Sequence, residues 1–469
     1  MNIVEEIRRR RHGAQTAILY GDQSLSFDSL FDFVETVSAQ LQQLPVFADY
    51  PSPRIGVKYP NGLAYIILSL AVIDLGACFV PIPDELAEDE VSRLVKDTGL
   101  HAIISPWLDG PEIKFPEALG SAAIENCPGT PIAFPVADLE ALSPAFIRFS
   151  SGTTAKSKGV VLSHKSLLER IVAGNCGLQI GPDDRVLWTL PMAHHFAVSI
   201  ILYLYYGATT VLATSQDPNA MYEAATMSQA TVLYGSPFHF AQLSQCRVAE
   251  KLPSLRLVVS TASALTQEVA SAFHSKFGLP ITQALGIIEV GLPILNKQHA
   301  HSHPTRLGEA QEAYEVQLKN TSVGDELLLR GPGMFDAYLI PWQTREQVMQ
   351  GAWFETGDLV EATDDGSLIM KGRSKSVINI GGMKVFPEEI EAVLNRHPSI
   401  KCSRVFGAEH PALGAYPSAE IVTAEGQQQP SASEVKTFCA SKLAAYKVPM
   451  LVKPIQAIEL TASGKVKRY

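Results

Sequence analysis

The chain has 469 residues, 46% hydrophobic and 18% charged, with a net charge of −10. This length exceeds one ordinary core, so two or three domains of a globular protein are expected, and the acidic balance argues against a nucleic-acid binder. Six scattered cysteines without a CxxC pair suggest neither a zinc site nor a disulfide framework; residues 1–11 lack the apolar stretch of a signal peptide, and the longest apolar run, 62–73, is too short to span a membrane, so a reducing cytoplasm is the default.

Residues 1–140 alternate helical and strand-like patterns. The spacing over 27–41 predicts an amphipathic helix with Ser26 as its cap. A strand follows at 54–58, an apolar helix at 63–75, a helix at 88–96 and a strand at 101–105. Strands separated by helices predict parallel sheet and an α/β architecture. Residues 166–173 read as helix, and 186–191 as a buried strand ending at a polar turn around His194. A further apolar helix covers 198–206, and strands are expected at 208–212, 230–233, 255–260 and 281–285. Ligands of such sheets sit beyond the carboxyl ends of the strands, where these polar turns lie.

From about residue 305 short strand-like pieces at 325–330, 351–360 and 366–371 alternate with Gly/Asp turns and predict a small antiparallel subdomain. Pro387 and the acids after it suit a helix start, and 433–443 reads as a second helix. The expected organisation is a large α/β domain over 1–373, carrying the antiparallel subdomain, and a small mobile α+β domain over 374–469.

Between apolar 145–147 and apolar 160–162 lies Phe149-Ser150-Ser151-Gly152-Thr153-Thr154-Ala155-Lys156-Ser157-Lys158-Gly159, which holds five hydroxyls, two glycines and two lysines. Glycine lets backbone N–H groups approach an anion, hydroxyls donate to it, and lysine supplies charge. The stretch is a loop joining two strands, either an anion cradle or a plain polar turn. It is not the phosphate loop of the common nucleotidases, because Lys158 precedes Gly159 and no Gly-Lys-Ser/Thr opens a helix.

Further motifs follow in a fixed order: Leu285-Gly286-Ile287-Ile288-Glu289, Glu355-Thr356-Gly357-Asp358-Leu359, Gly372-Arg373-Ser374-Lys375, Gly381-Gly382-Met383-Lys384 running to Glu391, and Thr461-Ala462-Ser463-Gly464-Lys465. Together with the Ser/Thr/Gly loop they resemble the adenylate-forming superfamily of acyl-CoA synthetases, peptide-synthetase adenylation domains and luciferases. The resemblance runs from the region of Asn61 to Lys465. It implies that a carboxylate attacks the α-phosphate of ATP, giving an acyl-adenylate and pyrophosphate, and that a thiol then displaces AMP.

The resemblance also implies roles for individual residues. Ser150, Ser151, Gly152, Thr153, Thr154 and Lys158 would hold the β- and γ-phosphates. Glu289 would ligate Mg²⁺, which prefers carboxylate and phosphate oxygens; alone, it reads as a surface acid. Asp358 would accept hydrogen bonds from the ribose hydroxyls, its alternative being a turn aspartate. Arg373 would assist with ribose or phosphate. Ala262, Ser263 and Ala264, with Gln283, Ala284, Leu285 and Gly286, would frame adenine. Lys465 would join Glu289 and Lys158 in catalysis by bonding the carboxylate and α-phosphate oxygens. Without the family it is a frayed basic end. The chain departs from the family at Ile288, where a threonine hydroxyl is usual, at Ala155 and Ser157 in the loop, and at Leu285 in place of an aromatic.

Amino-acid-activating relatives carry an aspartate in the stretch that matches 191–199, and this chain has none there, so an α-amino acid is disfavoured. The stretch is similar to the His-x-x-Gly gate of fatty-acyl and aryl ligases, with His194 as the gate or as a packed core residue. Phe196, Val198, Tyr234, Gly235 and Ser236 would wall the acyl pocket, which implies a fatty or aromatic acid. Lys375 stands at the family's hinge, and Gly381 and Gly382 would face the pantetheine arm after the tail rotates. The acceptor is coenzyme A or the phosphopantetheine of a holo carrier protein in trans, and Ile288 motivates a third reading as a non-catalytic binding homologue. His299, His301 and His303 match no zinc spacing and read as a solvated loop.

Overall fold

The computed structural model describes residues 1–10, 12–116, 119–127, 132–149, 158–196, 199–247, 251–380, 383–410 and 414–459. Among these, the alternation of apolar strands and helices resolves into two nine-stranded sheets. In the first, Thr282–Ile287, Leu257–Ser260, Val232–Gly235, Arg185–Trp188, Thr209–Leu212 and Thr16–Tyr20 are parallel neighbours. Gly291–Leu295 and Gln23–Ser26 pair antiparallel on the two flanks. In the second, Arg54–Val57 lies between Cys78–Pro81 and Ala102–Ser105, all parallel, and Cys78–Pro81 passes the order on to Pro144–Phe149.

The central strands are buried along their whole length rather than on alternate residues. Parallel sheets covered on both faces require this. The helix Leu63–Asp74 buries every side chain from Leu63 to Ile73 and is apolar all round, as a helix enclosed on all sides must be. Phe27–Gln42 buries a single stripe, Phe27, Leu30, Val34, Val37 and Leu41, and the Ser26 side chain accepts from Ser29 N at 3.1 Å at its start. The apolar helices pack a core against the first sheet around Leu187, Leu233, Phe240 and Phe273. A second core lies around Val80, Ile147 and Val161 in the other sheet.

Two compact units result: Met1–Glu315 with Arg330–Ala352, and Val316–Leu329 with Trp353–Tyr469. The second holds the expected antiparallel strands, with Gly324–Arg330, Phe354–Ala362 and Leu368–Arg373 paired in that order. It also holds the α+β tail, where Ile400–His410 and Gly414–Thr423 pair antiparallel beside the helices Pro387–Leu394 and Ala432–Ala440. Its core gathers Ile390, Leu394, Val405, Ile421 and Val435. Ser374–Ser376 is one 3₁₀ turn within this unit, and Lys375 is exposed. No helix among the described residues is long and apolar enough to cross a membrane.

Residue patterning predicts no element in the first eleven residues or in 16–26. Asn2 caps a helix Ile3–Arg9 that buries Ile3, Val4 and Ile7. Its charged face is satisfied locally, with Arg9 2.8 Å from Glu6. The hairpin Thr16–Tyr20/Gln23–Ser26 turns at Gly21, whose φ of +56° suits glycine. Both elements are short, and their apolar periodicity spans too few residues to register.

Three histidines are locked into the structure as neutral acceptors. Nδ1 of His101 accepts from Arg54 N at 2.9 Å, that of His164 from Ile3 N at 3.2 Å, and that of His239 from Ser236 N at 3.2 Å. Protonation would set a second N–H against each donor. Burial pulls each imidazole down to about 4. The unfolded chain therefore binds more protons than the native one between about pH 6.5 and 4. Stability is fully present above pH 6.5 and is lost as pH falls toward 4. His239, 4% exposed, should account for roughly 2–3 kcal/mol of that loss. Urea midpoints between pH 7 and pH 4.5 should fall less steeply for His239→Gln. An unchanged slope would remove His239 from the account.

Candidate active site

The parallel order of the first sheet puts the turns after Trp188, Gly235, Ser260 and Ile287 at one edge, the carboxyl ends of the strands. The second sheet reaches the same place. Asn61, after the strand Arg54–Val57, accepts from Met192 N at 2.9 Å. Glu85, after Cys78–Pro81, lies 3.1 Å from His194 Nε2. Arg148, near the end of Pro144–Phe149, donates through Nη1 to the His194 carbonyl and lies 3.5 Å from Nδ1 of the same ring. His194 is therefore held from both sides, by a carboxylate and by a guanidinium. The bond to His194 holds the Glu85 carboxyl below its usual range, while burial raises neighbouring Asp84.

Arg148 carries the next link. Its Nε is enclosed and has no hydrogen-bond partner among the described residues. Burial pulls its pKa down to about 10 against an opposing pull from Glu289. Arg170, 2% exposed on the helix His164–Leu178, is drawn down to about 10 for the same reason, and Glu289 again acts in the opposite sense. Arg170 donates to Gly333 O at 2.9 Å and to Ile288 O at 2.7 Å, which fixes the turn that presents Glu289. The Glu289 carboxylate accepts from Tyr338 OH at 2.9 Å, and the Lys158 ammonium stands 4.2 Å over the Tyr338 ring. One buried and one half-buried guanidinium and a tyrosine thus act on one carboxylate, with a lysine over the tyrosine ring, a setting suited to an anionic ligand and a hard cation.

The strand Leu257–Ser260 ends at Thr261–Ala264, where Ala262 takes φ +73°, in the left-handed region an alanine rarely visits. Gln283 pins this loop: its side-chain oxygen accepts from Leu265 N at 2.8 Å. The ladder between Thr282–Ile287 and Gly291–Leu295 shifts register between Leu285 and Ile287, so a bulge falls at exposed Gly286. Ala284 is buried, and Leu285 and Ser263 are half-buried. Phe196, fully buried, sits edge-on to Tyr65 and Phe79 within an aromatic cluster. Tyr234 stacks on Trp188 at 5.3 Å. A Cβ on Gly235 would lie 2.8 Å from Thr189 Oγ1, so any larger residue there would have to displace the Thr189 side chain. Ser236 opens the helix Pro237–Ser244 and sits 2.8 Å from His239 Nδ1.

In the second unit Asp358, 1% exposed, pairs with Arg373 Nε at 2.6 Å across the ladder that sets the two residues opposite each other. Asp358 N donates to Thr356 Oγ1, and Arg373 to Thr356 O. His299 faces Glu309 at 3.3 Å while His301 packs on His274. Ser150, Ser151, Gly152, Thr153, Thr154, Val198, Gly381, Gly382 and Lys465 lie outside the described residues. The strands that flank the Ser/Thr/Gly loop are antiparallel neighbours, with Phe149 opposite Gly159.

The AMP-binding enzyme family model matches residues 5–339, and that of the AMP-binding enzyme C-terminal domain matches 389–465. The chain belongs to the AMP-binding enzyme family, within the adenylate-forming superfamily. This AMP-binding enzyme is similar over 98% of its length to a feruloyl-CoA synthase of an Amycolatopsis species, at 25% identity and 96% of that relative. It is 27% identical to an indoleacetate–CoA ligase of Aromatoleum aromaticum, over 97% and 94% of the two chains, and 27% identical to a 2-succinylbenzoate–CoA ligase of Bacillus cytotoxicus, over 96% and 94%. Its fold is that of ATP-bound MatB from Rhodopseudomonas palustris, with a TM-score of 0.82 at 21% identity over 100% and 98% of the chains.

Arg148, Arg170, Glu85 and Tyr338 were not found by sequence reasoning. Only one signal pointed to any of them: Arg148 interrupts an apolar strand immediately before the Ser/Thr/Gly loop. Ile288, by contrast, contributes its backbone carbonyl to Arg170, and its side chain is half-buried. Ile288→Thr should leave pyrophosphate exchange unchanged or faster, because the carbonyl bond survives the substitution. A loss near a hundredfold, about 3 kcal/mol, would assign the isoleucine side chain an essential packing role.

Proposed function

We propose that this AMP-binding enzyme activates a fatty or aromatic carboxylic acid, not an α-amino acid, to an acyl-adenylate and passes the acyl group to the thiol of coenzyme A. The class of reaction is AMP-forming carboxylate–thiol ligation. The observation that carries the reading is the convergence of Glu289, Arg148 and the His194 turn at the carboxyl ends of both sheets. The coenzyme A ligases among the relatives support coenzyme A as acceptor. One acid, Glu85, does reach the His194 turn, but its carboxylate is engaged by the imidazole, which leaves a substrate ammonium without a dedicated partner.

Ser150 to Thr154 and Lys158 are proposed to hold the β- and γ-phosphates, and Asp358 the ribose hydroxyls, with Arg373 aligning the Asp358 carboxylate through their ion pair. The loop at Ala262, pinned by Gln283, is proposed to present its backbone to adenine. The donor set fits magnesium: Glu289 offers one half-buried carboxylate, and Mg²⁺ is usually held by one or two carboxylates and substrate phosphates. When bound, the ion would supply charge neutralisation on the transferring phosphate. Glu289 would hold it, and Lys465 would lie against the attacking carboxylate. Lys375 is proposed as the hinge and Gly381–Gly382 as the pantetheine path, in a cytoplasmic protein.

Carboxylate-dependent exchange of labelled pyrophosphate into ATP, run on a panel of fatty, aromatic and amino acids, tests the first half. Exchange with an amino acid alone would overturn the substrate class. Nucleotide binding without exchange for any acid would favour a non-catalytic homologue. Thioester formation with coenzyme A but not with a holo carrier protein is the expected second result, and the reverse would transfer the acceptor role to the carrier.

A further inference from the structure

One side chain joins the two charged groups of this site that come from different parts of the chain. Tyr338 lies on the two-residue strand Ala337–Tyr338, hydrogen-bonded to the edge of Gly159–Ser163, with Tyr338 opposite Val160. That register places it two residues from Lys158, and the Lys158 ammonium stands 4.2 Å over its ring. Its hydroxyl donates to Glu289 Oε1 at 2.9 Å. Phe335 N, three residues earlier, donates to the Glu289 carbonyl at 2.8 Å, so the segment 335–338 grips both the backbone and the carboxylate of that residue. Tyr338 itself is 4% exposed.

We propose that Tyr338 is a positioning residue with two separable tasks: its hydroxyl orients the Glu289 carboxylate toward magnesium, and its ring seats the Lys158 ammonium for the nucleotide phosphates. The inference rests on the reading of Glu289 as the magnesium ligand. The bond occupies Oε1, and no donor among the described residues reaches Oε2, which is left for the ion. A hydrogen-bonded partner behind a ligating carboxylate fixes its rotamer and is worth about 10- to 100-fold in metal affinity. The ring supplies a negative π-face to a cation that otherwise adopts many rotamers.

The two tasks separate in two variants. Tyr338→Phe deletes the hydroxyl and keeps the ring; Tyr338→Leu deletes both. The readout is calorimetric binding of a non-hydrolysable ATP analogue, titrated with Mg²⁺, without acid or turnover. Tyr338→Phe should raise the Mg²⁺ concentration for half-maximal enhancement about 10- to 100-fold and leave magnesium-free analogue binding unchanged. Tyr338→Leu should weaken magnesium-free binding as well, by about the same factor as Lys158→Ala. An unshifted Mg²⁺ midpoint in Tyr338→Phe overturns the hydroxyl's task. Magnesium-free binding equal in Tyr338→Leu and wild type overturns the ring's. Glu289→Gln is the control for the underlying reading: if it too leaves the Mg²⁺ midpoint unmoved, Glu289 is not the ligand, and the failure lies there rather than with Tyr338. Melting temperatures within a few degrees of wild type qualify each variant; a failing Tyr338→Phe is replaced by Tyr338→Trp, which keeps a π-face and loses the hydroxyl bond, and a failing Tyr338→Leu by Tyr338→Met, which also has no ring and no hydroxyl.

Discussion

Lys465→Ala should abolish most adenylation while leaving thioester formation from a supplied acyl-adenylate near the wild-type rate. The two half-reactions make opposite demands on a cation. In the first, a carboxylate approaches an α-phosphate of the same sign, and the barrier contains their repulsion together with the charge that spreads over the transferring oxygens. A lysine bridging both groups lowers that barrier and has no comparable effect on the ground state, so its removal falls on the transition state. Loss of one such contact costs about 3–4 kcal/mol, or roughly a hundred- to thousandfold in rate. In the second half-reaction a thiol attacks the carbonyl of a mixed anhydride in which carboxyl and phosphate are already joined, the C–O anhydride bond breaks, and AMP leaves. No second anion has to be brought to the phosphate. Pyrophosphate exchange and thiolysis of synthetic acyl-adenylate, measured separately on the variant, distinguish the outcomes. Exchange at the wild-type rate, or an equal fall in both reactions in a folded protein, would take the role away from Lys465.

The parts of this enzyme that were legible in its sequence share one property: their signal is local. Ser26 caps a helix because its own hydroxyl reaches the third amide after it, and Pro387 opens one because its fixed φ and missing N–H belong there. The order of motifs from Ser150 to Lys465 is likewise read along the chain, and it was enough to reach the family. What stayed hidden depends on residues far apart in sequence. Arg170 reads as an ordinary helix-surface arginine until the fold brings Gly333 O and Ile288 O, more than a hundred residues away, within 3 Å of it. Glu85 is unremarkable in its stretch and meets His194 only because two sheets end at the same edge. No acid lies within 191–199, yet Glu85 reaches that turn from the end of a strand in the other sheet. Asp358 shows the intermediate case. Its motif was visible, but its pairing with Arg373 needed the strand register between Phe354–Ala362 and Leu368–Arg373.

Gly333→Ala tests how much of the site rests on these long-range contacts. Gly333 has φ +67°, in the left-handed region that costs an L-residue about 1–2 kcal/mol. A Cβ there would lie 2.3 Å from Arg170 N and 2.5 Å from Arg170 Cα. Those are backbone atoms of the helix His164–Leu178, and no rotamer change relieves the clash. The loop must therefore move away from the helix, and two bonds are stretched together: Arg170 Nε to Gly333 O, and through the displaced guanidinium, Nη1 to Ile288 O. Arg170 is then a buried cation with its partners withdrawn, a loss of about 3–5 kcal/mol when complete. Allowing for partial relaxation, the variant should lose roughly 3–5 kcal/mol of stability, and its Mg²⁺-dependent nucleotide binding should weaken because the turn carrying Glu289 is no longer held. Arg170→Met removes the charge but keeps most of the side-chain volume. The double variant should be less unstable than the sum of the two single changes, since the lost Arg170 bonds would otherwise be counted twice. Denaturant midpoints for the three variants decide the matter. Strict additivity would mean that the clash and the guanidinium act independently. A Gly333→Ala protein as stable as wild type, with normal Mg²⁺ dependence, would show that Arg170 does not need Gly333 to hold the Glu289 turn.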